Sequence, residues 1–230
     1  IELASDPVLS VRTCVADTIA ACLRHARQTA YEAFRHLIEA NDLLLASDKV
    51  KRLMIFIGNS DPKVVDPIII RMLDSADCEV QTAGGYMAGF AALERGCPVL
   101  MERALSCNAA VRRGLAKVCA TRVNRSADSE LVVSTLNQLM HDDDDEVRKQ
   151  IGSLARSLRG KNLRPYAQLL TNLIASPSYA HTAPQLLITL QEAPDKVDDL
   201  IDLASDRFLS VHGEDVTDLP IDAALEADYI

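Results

Sequence analysis

Tryptophan is absent from the 230 residues, and four Phe with five Tyr bring aromatics to only 4%. So thin a supply argues against a β-sandwich, whose strands draw on aromatic and β-branched residues. The six cysteines (Cys14, Cys22, Cys78, Cys97, Cys107 and Cys119) contain no CxxC pair and no zinc-ligand spacing. They are expected to be small buried thiols of a reducing, cytoplasmic compartment. No apolar run is long enough to cross a membrane; Val64 to Leu73 is broken by Asp66, Pro67 and Arg71. The five histidines (His25, His36, His141, His181, His212) show neither HxxxH nor HExxH spacing, and no nucleophile motif occurs. The expectation is a chain with no metal site, no cofactor and no catalytic residues.

What is present suits a packed helical protein. Hydrophobic residues make up 48% and charged residues 25%, which is too apolar for a disordered chain. The net charge of −9 is unevenly spread. From Glu192 to Ile230 twelve acids face only Lys196 and Arg207, a net of −10, so the other 191 residues carry +1. An acidic total disfavours non-specific binding to DNA or anionic membranes, yet leaves room for a local basic face. Arg outnumbers Lys by 17 to 7, which favours directional ion pairs.

One pattern recurs along the chain. Asp6-Pro7-Val8-Leu9-Ser10-Val11-Arg12, Ser75-Ala76-Asp77-Cys78-Glu79-Val80-Gln81, Ser106-Cys107-Asn108-Ala109-Ala110-Val111-Arg112 and Asp142-Asp143-Asp144-Asp145-Glu146-Val147-Arg148 each place a polar turn before Val-Arg or Val-Gln. Ser47-Asp48-Lys49-Val50-Lys51 is a weaker copy. A helix-length run follows each. Val11, Val15, Ile19, Cys22 and Leu23 make one apolar stripe; Val111, Leu115, Val118 and Cys119 make another; Val147, Ile151, Leu154, Ala155 and Leu158 a third. Partner helices are expected at Thr29–Ala40, Pro62–Leu73, Pro98–Leu105, Asp128–Met140 and Arg164–Ala175. Pro62 and Pro98 would occupy first turns. Asp61 and Asp128 would sit at helix starts, and Gly58, Gly96 and Gly160 would stop helices. Phe208 to His212 reads as a short extended piece or loop.

These repeats resemble HEAT repeats of the armadillo-type α-solenoid superfamily. In such units the second helix opens with a Val-Arg-like pair, and an Asp about six residues earlier sits in the turn. Asp6 with Arg12 and Asp142 with Arg148 match. Arg112 is matched without the Asp, and Gln81 with neither, so the ladder of turn hydrogen bonds should be weakest in the middle. The resemblance implies an all-α fold, a right-handed α-α superhelix of about five to seven helical hairpins over residues 1–205. Residues 206–230 would be an irregular acidic segment, with a further helix starting at Pro220. Ile1 falls inside a helical pattern and Ile230 follows a helix start, so a fragment of a longer polypeptide is expected.

Function is read as binding. A single helical hairpin cannot bury its own apolar face, whereas stacked hairpins share a continuous core and leave a long surface lined by their second helices. Arg113, Lys117, Arg122 and Arg125 on one repeat, with Lys149 and Arg156 on the next, would form a basic patch for an acidic protein partner or another part of the same chain. The alternative is a nucleic-acid-binding or DNA-glycosylase-like HEAT protein using that patch. Missing Trp and the acidic balance count against it. The run Asp142–Glu146 lacks the alternating ligands and mid-loop glycine of a calcium loop and reads as a helix start. Gly85 and Gly89, at i and i+4, suggest a close helix–helix approach.

Overall fold

The computed structural model describes residues 2–39, 41–124 and 129–212. Helices are the only regular structure among the described residues, and no helix there is long and apolar enough to cross a membrane. The chain divides into two compact units that part at Val118/Cys119.

The first unit holds α1 (Leu9–Cys22), α2 (Arg27–Glu39), α3 (Asp48–Ser60), α4 (Pro62–Leu73), α5 (Cys78–Arg95), α6 (Pro98–Leu105) and most of α7 (Ala109–Arg122). Within it α1 packs on α3 and α3 on α5, while α2 lies against α1, α4 against α3 and α5, and α6 against α5. Pro62 and Pro98 open their helices as the spacing predicts. Gly96 and Gly160 adopt φ of 66° and 67°, so each sits where a helix stops. Gly58 does not; it lies inside α3, buried, with Arg95 donating to its carbonyl at 3.3 Å.

The second unit contains α8 (Ser129–Leu139), α9 (Asp145–Ile151), α10 (Ser153–Leu158), α11 (Ala167–Ala175), α12 (Tyr179–Gln191) and α13 (Asp198–His212). Here α12 packs on α9, α10, α11 and α13, and α11 packs on α8 and α13. The expected extended piece at Phe208–His212 is instead the last turn of α13. Leu200 and Ala204 are buried, Phe208 extends their i, i+4 stripe, and the Tyr179 hydroxyl donates to the Ala204 carbonyl. The irregular segment expected from residue 206 is therefore helical through 212; residues 213–230 and Asp128 lie outside the described residues.

The stripes at Val111, Leu115, Val118 and Cys119, and at Val147, Ile151, Leu154, Ala155 and Leu158, are wholly buried. The stripe on α1 is not the expected one. Arg12, Ala16 and Ile19 are buried, whereas Cys22 is exposed. Arg12 takes the inner face because its guanidinium donates to the Ala4 and Leu37 carbonyls. The thiols are corrected with it. Cys14, Cys22 and Cys78 are exposed, Cys97 and Cys107 half-buried, and only Cys119 is buried, where desolvation pushes its pKa up to about 12.

The repeated turns share a local logic. Asp77, Asn108 and Asp144, each three residues before the repeat Val, accept from that Val's backbone N–H at 3.0–3.3 Å, the capping bond that satisfies an orphan helix donor. The following Arg or Gln reaches back into the turn: Gln81 to the Ser75 carbonyl, Arg112 to Cys107 and Arg148 to Asp142, each at 2.6 Å. Asp6 and Asp142 instead accept backbone N–H groups of Val8 and Asp144. Asn108 also donates to Gln81 at 3.0 Å, a rung between two of the recurrent turns in the middle, where the ladder is expected to be weakest.

Within the acidic run at the start of α9, Asp145 and Glu146 form ion pairs. His181 of α12 lies 2.8 Å from Asp145, which also meets Arg148 and Lys149. These contacts, the His181 bond foremost, hold the Asp145 carboxyl down to about 2. A carboxylate depressed in the folded state stabilises it fully above the ordinary value near 3.8 and loses that contribution as pH falls toward 2. Asp145→Asn is expected to flatten this acid limb, read as a smaller loss of urea midpoint between about pH 4 and pH 2 than in the parent. An equal loss in both chains would contradict the assignment.

Candidate functional site

The helices α3, α5 and α7 of the first unit open onto a groove of about 680 Å³. The recurrent Val positions set its lining. Val50, Val80 and Val111 are buried. Two residues after each stand Arg52, Thr82 and Arg113, and six residues after the last two stand Tyr86 and Lys117; all five line the groove. Equivalent helical positions thus converge on one surface, as side chains at i and i+4 share a helix face.

Four cations line the groove: Lys51, Arg52, Arg113 and Lys117. Asp48 and Glu79 also line it, so its formal charge is +2. Asp48 pairs with Lys51 at 2.7 Å. That bond, with the further pull of Lys117 and Arg52, holds the Asp48 carboxyl below its usual range. The Lys51 ammonium lies 5.8 Å from the centre of the Tyr86 ring, within cation–π range. Tyr86 is half-buried, so its ring presents an apolar wall beside the charges. Ala46, Ala83 and Gly114 leave the lining low between the long side chains.

No family model matches the chain. Searches of the curated proteins and of the solved structures likewise find no match.

Of the six patch residues expected from sequence, Arg113 and Lys117 line this groove. Arg122, Lys149 and Arg156 belong to the second unit, and Arg125 lies outside the described residues. Lys149 pairs with Glu146 at 2.6 Å and Asp145 at 3.3 Å within its own helix. Lys51, Arg52 and Tyr86 were not singled out by sequence. The signal existed in the weak repeat copy at Val50, because counting two residues on from that Val gives Arg52, as it gives Arg113 from Val111.

Among the described residues no group of three or more His, Cys, Asp or Glu is placed to hold a metal ion. The groove itself brings four cations, two carboxylates and one aromatic ring onto one surface.

Proposed function

We propose that this chain is a non-enzymatic protein-interaction module of the HEAT-repeat, armadillo-type kind, its hairpins stacked in a right-handed superhelix. Its groove between α3, α5 and α7 holds an acidic segment of a protein partner. The observation that carries this reading is the convergence of four cations and Tyr86 from three repeats on one groove. Long-range attraction would steer an acidic peptide in, and Tyr86 would supply contact area at little entropic cost. Six free thiols, three of them exposed, suit a reducing cytoplasmic setting.

Nucleic acid is the weaker ligand. Asp48 and Glu79 would face its phosphates, and the chain carries −9 overall. Fluorescence anisotropy with a labelled glutamate-rich 18-mer and with a labelled DNA duplex of similar size separates the readings. The peptide is expected to bind at low salt and to lose about tenfold or more in affinity to Lys51→Glu/Arg113→Glu/Lys117→Glu. Binding of the duplex alone, or peptide binding unchanged by the triple substitution, would overturn the proposal.

A further inference from the structure

We propose that the α3/α5/α7 groove selects its partner by the spacing of acids: the ligand is an extended segment of another protein whose two acidic ends flank an apolar middle. The inference rests on the groove's being a site for acidic peptides and adds where the acids must stand. The division of charge among the helices carries it. Lys51 and Arg52 come from α3, Arg113 and Lys117 from α7, and the residues that α5 adds to the lining include no cation. Instead α5 contributes Glu79, Thr82 and the Tyr86 ring. An unbroken run of acids would bring its central carboxylates against Glu79 and an aromatic face, where like charge and lost hydration both count against them. An apolar side chain in that place would bury surface on the ring.

The lining residues are in step across the three helices. Thr82 of α5 is level with Arg113 of α7, since a Cβ at the adjacent Gly114 would lie 1.8 Å from the Thr82 carbonyl oxygen. Lys51 reaches from α3 to within 5.8 Å of the Tyr86 ring centre. Arg52 and Arg113, each two residues after a recurrent Val, therefore set one guanidinium on either flank of α5. Such a group grips a carboxylate through two parallel N–H bonds. Packed helices lie about 8–10 Å apart, so α3 and α7, with α5 between them, are about 16–20 Å apart. An extended chain advances about 3.3 Å per residue, which puts the two acidic ends about five or six residues apart with the apolar residue midway.

The experiment uses the full chain and two labelled 12-mers of identical composition on a glycine–serine background. In the split peptide four glutamates form two pairs about five residues apart, with a leucine midway. In the clustered isomer the four glutamates are contiguous and the leucine stands at the far end. At low salt the split peptide is expected to bind the unsubstituted protein about tenfold or more tighter, because its second end engages at high effective concentration once the first is held. The comparison needs no variant, so it does not depend on how a substituted chain folds. Arg52→Gln and Arg113→Gln then assign the ends. With one glutamate pair changed to glutamine, affinity should respond to only one of the two substitutions. With the other pair changed, it should respond only to the other. Equal or tighter binding of the clustered isomer, or dependence on both arginines whichever pair is removed, would overturn the inference. So would failure of the split peptide to bind. In that case the glutamate-rich 18-mer separates the two ideas: if it binds and is weakened by Lys51→Glu/Arg113→Glu/Lys117→Glu, the groove still takes acidic peptides and only the two-ended pattern is wrong. If it does not bind, both fall.

Discussion

Gly114→Ala is expected to destabilise the chain by about 3 kcal/mol or more, or to prevent folding outright. A Cβ at Gly114 would lie 1.8 Å from the Thr82 carbonyl oxygen, and one at Gly85 would lie 1.9 Å from the Val111 carbonyl oxygen. The two glycines let the backbones of α5 and α7 touch, and neither contact can be relieved by turning a side chain. Gly89 adds to the approach, since its Cβ would meet Val118 at 2.4 Å. Helix propensity alone predicts the opposite sign, because Ala in a helix interior is favoured over Gly by about 1 kcal/mol. Gly58→Ala is the internal control. It too is buried in a helix, yet its Cβ would find nothing nearer than the Arg95 guanidinium at 3.4 Å. Urea unfolding should show Gly58→Ala stabilised by about 0.5–1 kcal/mol and Gly114→Ala strongly destabilised. Stabilisation of both would mean that the close helix contact does not exist.

The second large effect is expected at Arg12. The residue is 5% exposed and its described partners are two backbone carbonyls, those of Ala4 and Leu37. The guanidinium thereby ties the short 3-10 turn at Glu2–Ser5 and the end of α2 to α1. Arg12→Met keeps much of the aliphatic bulk but leaves both carbonyls short of a donor. Unsatisfied buried acceptors cost about 1–3 kcal/mol each, so a total of about 2–6 kcal/mol is expected. Arg12→Lys restores the charge without the two-pronged geometry and should recover less than half of the loss. Thermal or urea unfolding measures both. A neutral Arg12→Met would show that the buried guanidinium stabilises nothing.

Sequence reading succeeded where the apolar period was both long and undisturbed. The stripes after Val111 and Val147 are buried as written, and the partner helices at Pro62–Leu73 and Pro98–Leu105 agree to the residue. It failed on α1 because a buried Arg12, held by carbonyls distant in sequence, rotates the inner face away from Val15 and Cys22. No one-dimensional pattern carries that information. At Phe208-Leu209-Ser210-Val211 the alternation is too short to separate strand from helix, and it is the packing of α13 on α11 and α12 that favours the helix. The caps at Asp77, Asn108 and Asp144 are legible in principle, as an Asx three residues before each Val. Gly85 and Gly89 were legible as a close-approach pair. Their counterpart Gly114 was not, since nothing local says which glycines meet.

The groove was half legible. Arg113 and Lys117 follow from the strong repeat at Val111, while Lys51, Arg52 and Tyr86 become visible only when α3 and α5 are seen beside α7. The proposed peptide site depends on that three-helix convergence, and amide hydrogen exchange in the presence of the glutamate-rich 18-mer tests it most directly. Added protection is expected in segments 46–52, 78–86 and 113–117, fading as salt is raised from about 50 mM to about 500 mM. Protection confined to the second unit, or no change at the groove under saturating peptide, would contradict it.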